Sequence, residues 1–405
     1  MSRKWRPRFS LLALLLVVVF LGACGGLWWR WEPWACERIF QGLRDISNDV
    51  CFSLDGRLLA ATGRDGTVRI WELATGRCAS VLRGHSGIVW FCDFSPDGKE
   101  LASVGDDKTV CVWSINTGAR VMAIDDAESS IFSPDGRWLV VQHQDRATGR
   151  ISIYDRTQKK AGPLMLRCCL LTGARDMFSE NGRLLVTCWT GIDVWDLQGK
   201  TKMASYTQDY ACSALGISKD GKRLLLSGND MILRIWDMDR GSITREIETG
   251  YKRGTMTAIF STDETLAATT SDDFSMKVWD VETGKCIGTI DNLGCNFTIP
   301  VFSTASRWQL LTNESSTVRI WDLRDLSPIA TIVGPEGSEA REISPDFQRI
   351  AFACHEGEIW VYSRRRPEYW WGVAWLPEFW IALVSGLALL YLASCAFSHQ
   401  FQTYE

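Results

Sequence analysis

Apolar and polar residues alternate through the middle of the chain in short runs, and one turn-forming interruption recurs eight times. Its form is Phe-Ser-x-Asp-Gly followed by an apolar triplet. Clear copies start at Phe52 (FSLDGRLLA), Phe94 (FSPDGKELA), Phe132 (FSPDGRWLV), Phe178 (FSENGRLLV) and Ile217 (ISKDGKRLL), with eroded copies at Phe260, Phe302 and Ile343. Successive copies lie 38 to 46 residues apart, which is room for four short strands and their turns. Asp-Gly and Asn-Gly supply the positive-φ conformations that a tight antiparallel turn requires, so each copy predicts a hairpin. A second hairpin follows each first one. Asp65-Gly66, for example, leads into TVRIW, where Val68 and Ile70 share one face of a strand and Arg69 and Trp71 the other. Equivalent strands end at Trp113, Tyr154, Trp195, Trp236, Trp279, Trp321 and Tyr362. Apolar residues on both faces predict burial on both, as when small sheets stack radially around an axis.

The endings IWE, IYD, VWD and IWD, each followed by a turn, resemble the Trp-Asp ending of WD40 repeats over roughly residues 36 to 363. The resemblance implies an all-β propeller of four-stranded blades whose last blade is completed by a strand from the other end of the chain. CERIFQG from Cys36 aligns with CASVLRG from Cys78, and the final repeat lacks an outer strand of its own. The expectation is therefore eight blades closed by an N-terminal strand. The family's buried hydrogen-bond tetrad matches in full once, at His85, Ser103, Asp107 and Trp113, where it implies a structural role. Asp65, Asp230 and Asp273 hold the matching turn position elsewhere, while Thr148, Trp189, Ser315 and Glu356 depart from it.

The flanks have a different character. A basic tail (1–8) precedes 21 uncharged residues (9–29), long enough to span a bilayer as a helix. That stretch reads as an uncleaved anchor, a cleaved signal peptide, or a lipoprotein leader in which Leu21-Gly22-Ala23-Cys24 places a lipid on Cys24. After the propeller come a basic and aromatic segment (364–378), a second uncharged stretch (379–397) and a short tail (398–405), with Tyr369, Trp370, Trp371 and Trp375 reading as an interfacial belt. These features predict transmembrane helices at both ends and an integral membrane protein. The four basic residues before the first span favour an exported propeller, whereas Arg364, Arg365 and Arg366 favour a cytoplasmic one, as would free thiols; since the first helix usually dominates, the reading leans to an extracytoplasmic propeller.

Charge and chemistry narrow the function. The chain carries a net charge of -4. With its basic flanks set aside the middle is mildly acidic, about -8, which argues against binding a nucleic-acid backbone. Only four histidines are present, and Gly-x-Ser-x-Gly, His-Glu-x-x-His and Cys-x-x-Cys are all lacking. Gly216 to Lys222 approaches a phosphate loop, but Arg223 stands where Ser or Thr should be and the segment is one of the repeat hairpins. Cys168-Cys169 and Cys354-His355 have no partner at a metal-ligand spacing, so no metal, cofactor or small-molecule substrate is expected. Of the 14 cysteines, Cys51, Cys92, Cys111 and Cys212 sit where a small apolar residue would serve. Asn296 and Asn313 open chance-level glycosylation sequons. The reading is a non-catalytic scaffold that binds proteins at a membrane; the alternative is an extracytoplasmic propeller with a small ligand, hydrolysis or redox chemistry on its axial loops.

Overall fold

A computed structural model describes residues 34–364 apart from 44–46, 144–149, 158–163, 168–177, 189–190, 208–211, 229, 292, 294–299, 304–307 and 355. The strands form eight antiparallel sheets, ordered a-b-c-d as the chain runs except in blades 4 and 8, and they are the eight blades of an all-β propeller. Blade 1 is typical, with strands Ser47–Phe52, Leu58–Gly63, Thr67–Glu72 and Cys78–Arg83. Blade 8 closes the ring. Its first three strands (Ser338–Ile343, Arg349–Cys354, Ile359–Arg364) come from the end of the repeats, and its outer strand is Trp34–Phe40 from the beginning. Gln41 donates to Glu358 (2.8 Å) and Arg349 to Glu37 (2.9 Å), so side chains as well as the ladder join the two ends. In blade 4 the described residues give three strands (Leu184–Cys188, Ile192–Asp196, Thr201–Tyr206) and a bridge between Phe178 and Leu185, and residues 168–177, where the innermost strand is expected, lie outside the described residues.

The recurrent turn owes as much to its serine as to its glycine. In blade 2, Ser95 Oγ donates to Asp97 (2.7 Å) and accepts from the Glu100 amide (2.9 Å), fastening both sides of the hairpin. The same pair of bonds recurs at Ser53, Ser133, Ser179, Ser218, Ser261 and Ser344, and every one of these serines is buried. Left-handed backbone at the fifth motif position is supplied by glycine in five blades, Gly56 (φ 65°) among them. Glu264 (φ 58°) and Phe347 (φ 56°) adopt it without that help, so the eroded copies at Phe260 and Ile343 still turn. Glu264 also pairs with Arg223 of blade 5 at 2.5 Å, a contact glycine would forgo.

Strands b and c fill the core. Leu59, Ile70, Leu101, Val110, Leu139 and Ile151 are fully buried, and the apolar clusters run from blade to blade, as where Cys51, Ala60 and Ile70 meet Val89, Leu101 and Trp113. Burial on both faces of the middle strands makes each blade depend on its neighbours for water exclusion. The compact unit holding the blades is Cys36–Tyr362. Cys24 and the apolar stretches 9–29 and 379–397 lie outside the described residues, as do Thr148, Cys168, Cys169, Trp189, Asn296 and His355. Among the described residues no helix is long and apolar enough to cross a membrane.

Candidate functional site

Topology sorts the loops into two axial faces. In an a-b-c-d antiparallel sheet the b–c turn, the d–a connection and the start of strand a fall at one end; the Ser-x-Asp-Gly turns and c–d turns fall at the other. The first face carries the tetrad. His85 precedes strand a of blade 2 (Val89–Phe94), Ser103 lies in strand b (Glu100–Gly105), Asp107 in the b–c turn and Trp113 in strand c (Val110–Ser114).

The structure brings these four together. His85 Nδ1 lies 3.0 Å from Asp107, His85 Nε2 is 2.8 Å from Ser103 Oγ, and Trp113 Nε1 donates to that oxygen at 2.8 Å. Asp107 also accepts from the amides of Ser86 (2.8 Å) and Thr109 (3.2 Å) and from the Thr109 hydroxyl (2.8 Å). A Ser-His-Asp sequence of contacts invites comparison with a nucleophilic triad. Access decides against it: Ser103 is 0% exposed and its oxygen is already occupied by the indole, so no carbonyl can approach. Burial lowers the His85 pKa, but hydrogen bonds with Cys111 and Asp107 outweigh burial and leave it above the ordinary value. Burial raises Asp107, and its bonds from Ser86, His85 and Thr109 more than reverse that. Gly105 is small for a steric reason, since a Cβ there would meet His85 Nδ1 at 2.5 Å.

The other turn aspartates differ in what they hold. Among the described residues Asp65 bonds only within its own turn, to the Thr67 amide (3.1 Å) and hydroxyl (2.6 Å), and buried Leu43 fills the place of His85. Asp230 pairs with buried Arg234 (2.5 Å), which also reaches Glu246 (2.9 Å). Leu226 replaces the serine there, and Trp236 Nε1 is left without a partner. Asp273 accepts from the Lys252 amide (2.9 Å), and here a relay escaped the sequence reading: Tyr251 Oη lies 2.6 Å from Thr269 Oγ1, which accepts from Trp279 Nε1 at 2.8 Å. Tyr251 stands 22 residues before Asp273, as His85 does before Asp107, so that spacing was the available signal. Blades 4 and 7 keep the hydroxyl–indole pair alone, at Thr187–Trp195 (3.0 Å) and Thr312–Trp321 (2.9 Å). Ser315 turns the chain at φ 53° and Glu356 is exposed.

His143 is buried, its Nδ1 donating to the Asp126 carbonyl (3.2 Å) and its Nε2 lying 2.5 Å from Ser152 Oγ, which is blade packing. Cys354 is a buried thiol pushed up to about 11 by burial and then by Glu358 and Glu356. Asn313 donates to the Ala340 carbonyl of blade 8 at 2.6 Å, so that sequon is spent on packing.

What the tetrad supports is a platform. Immediately beyond it, strand a of blade 2 bulges between Val89 and Phe91, leaving Trp90 39% and Phe91 56% exposed on the innermost strand. Trp90 Nε1 donates to Asp106 at 3.2 Å, which fixes the indole. The same bulge carries Asn48 in blade 1, Glu128 in blade 3, Leu215 in blade 5 and Arg341 in blade 8, so among the described residues the aromatic pair is particular to blade 2. Exposed Asp106, Asp125 and Asp126 stand on the same end of blades 2 and 3. A groove of roughly 570 Å³ at the opposite end of blades 5 to 7 is lined by Arg223, Glu264, Asp280, Ile287 and Trp308 among others. Among the described residues no His or Cys lines it, and Arg223 is already paired with Glu264.

Comparison with known proteins agrees with this geometry. The family described as "WD domain, G-beta repeat" matches at residues 34–72, 76–114 and 245–280. The chain is 23% identical over 346 residues to the transcriptional corepressor LEUNIG_HOMOLOG of Arabidopsis thaliana, covering 82% of this chain and 37% of that protein. It is 31% identical over 206 residues to nuclear distribution protein PAC1-2 of Uncinocarpus reesii (46% and 37%), and 26% identical over 164 residues to the U3 small nucleolar RNA-associated protein 21 homolog of Schizosaccharomyces pombe (40% and 18%). It thus spans well under half the length of these relatives. The crystal structure of the computationally designed Ika8 protein superposes with a TM-score of 0.62 at 19% identity, over 80% of this chain and 98% of that one, a likeness of fold.

Proposed function

We propose that this chain, whose repeats are WD40 repeats, is a membrane-anchored propeller scaffold that recruits protein partners on the axial face carrying Trp90 and Phe91 and catalyses no reaction. The observation that carries the reading is that aromatic pair. Two large rings left open to water at the bulge of an innermost strand cost solvation unless a partner covers them, and a Trp whose rotamer is already fixed loses little entropy on binding. Asp106, Asp125 and Asp126 beside them favour a protein segment presenting an apolar anchor flanked by Lys or Arg. The length and flanks of residues 9–29 and 379–397 support anchoring at both ends, with the propeller exported. Tethering then raises the local concentration of whatever the face binds, so recruitment needs no chemistry.

The test is capture from detergent-solubilised membranes with full-length protein, followed by mass spectrometry, for the parent and for Trp90→Ala and Phe91→Ala. We expect a defined protein set that falls at least about tenfold in both variants while the melting temperature stays within about 1 °C. Unchanged capture would place the partner face elsewhere. A bound small molecule or a turnover product in place of a protein would overturn the scaffold reading.

A further inference from the structure

Two cysteines outside the tetrad and the aromatic face meet across a blade boundary. Cys51 lies in strand a of blade 1 and Cys92 in strand a of blade 2, and their sulfurs are 3.1 Å apart. Both side chains are buried, at 2% and 6% exposure. Among the described residues no backbone ladder joins the innermost strands of different blades, yet this seam is held by side chains: Asn48 Nδ2 donates to the Val89 carbonyl (2.9 Å), and the Cys92 amide donates to Asp49 (3.1 Å). These bonds fix the two strands in the register that sets the sulfurs facing each other. We propose that Cys51 and Cys92 are a dithiol–disulfide pair, and that in an oxidising environment they form a covalent staple between blades 1 and 2.

Bond formation requires the sulfurs to close by about 1 Å, within the reach of small side-chain rotations. The electrons go to an incoming disulfide, either of a small thiol such as glutathione or of a protein oxidant. One cysteine thiolate attacks it, forming a mixed disulfide and releasing one thiolate. The second cysteine, deprotonated, attacks the mixed disulfide at the first cysteine's sulfur, the Cys51–Cys92 bond forms, and the second thiolate leaves. Two protons lost by the cysteines end on the released thiols. The Cys51 hydrogen bond and burial hold the Cys92 thiol well above its ordinary pKa, so it stays neutral in the folded propeller and exchanges slowly there. Oxidation therefore belongs to folding, once the two innermost strands come into register and before the seam closes to solvent. The inference stands independently of the partner face and of the anchors.

It is tested on the full-length chain refolded in detergent with oxidised or reduced glutathione, quenched in acid, alkylated and digested with trypsin. Arg57 and Arg83 lie between the two cysteines, so cleavage puts them on separate peptides. We expect one linked species containing Cys51 and Cys92, lighter by two hydrogens than the separate peptides. The loop model predicts that the oxidised protein melts higher by about 5 °C, and that the shift disappears in Cys51→Ala and in Cys92→Ala. Quantitative alkylation of both thiols after oxidative folding, or linkage of either to a different cysteine, would overturn the pair. A Cys51–Cys92 link with no change in melting would overturn the staple. The linkage is read on the parent, so a variant that fails to fold leaves the test intact.

Discussion

Replacing Asp107 by alanine separates a buried histidine from its acceptor, and blade 1 supplies the control. Asp107 is 11% exposed and holds four donors, of which only His85, at 1% exposure, has no route to water. Ser86 is exposed and Thr109 sits in the turn, so water replaces most of what they lose. Stranding a buried donor costs about 1–3 kcal/mol, and the turn bonds add about 0.5 kcal/mol, giving about 1.5–3.5 kcal/mol for Asp107→Ala. Asp65→Ala removes the same carboxylate from the same turn, where Leu43 replaces the histidine, and should cost under about 1 kcal/mol. The difference isolates His85. Adding His85→Leu to Asp107→Ala removes the stranded donor, putting a leucine where blade 1 has Leu43, and should recover about 1 kcal/mol or more, a coupling between contacting residues. The assay is chemical denaturation followed by tryptophan fluorescence. Equal losses for Asp107→Ala and Asp65→Ala would refute the argument. Loss of partner capture with unchanged stability would make Asp107 a binding residue instead.

Two histidines give stability a maximum against pH. His85 is held above the ordinary value of 6.5, so its contribution is complete below about pH 6.5 and is lost as pH rises through the folded pKa. Burial, then Arg150, hold His143 below 6.5, so its contribution is complete above about pH 6.5 and is lost as pH falls through the folded pKa. Melting temperature scanned from about pH 5 to 9 should peak near pH 6.5, with His85→Leu flattening the alkaline limb and His143→Gln the acid limb; a monotonic profile unaffected by either change contradicts this. Deleting Trp34–Leu43 removes the outer strand of blade 8 and buried Phe40, exposes an unpaired edge, and should yield concentration-dependent aggregates by light scattering. Melting like the parent would show that the strand is dispensable. If the propeller is exported, a membrane-impermeant maleimide should label exposed Cys78 and Cys286 on intact cells; labelling only after permeabilisation places the propeller in the cytoplasm.

Strand periodicity, turn residues and repeat spacing made the blades legible because they are local: an Asp-Gly between apolar triplets constrains only its own hairpin. Ring closure was legible for a related reason, since Cys36 to Gly42 carries the pattern of Cys78 to Gly84 and the last repeat has nowhere else to find that strand. Contacts between elements were harder to read. Asp65, Asp107, Asp230 and Asp273 look equivalent in sequence, yet each holds something different, because the residue 22 positions earlier and the one 4 positions earlier decide the partner. Leu43 with Ala61 gives an apolar filling, His85 with Ser103 a full relay, and Tyr251 with Thr269 a relay in which a phenol reaches the hydroxyl directly. In blade 5, Leu226 leaves the indole of Trp236 unsatisfied while Arg234 takes the carboxylate. Surface and seam were least legible of all. Trp90 and Phe91 sit in an apolar run that reads as an ordinary core strand, and it is the bulge at their position that turns them outward. Likewise Cys51 and Cys92 each read as a small core residue. Only the packing of one blade against the next, absent from any single repeat, brings the two thiols together.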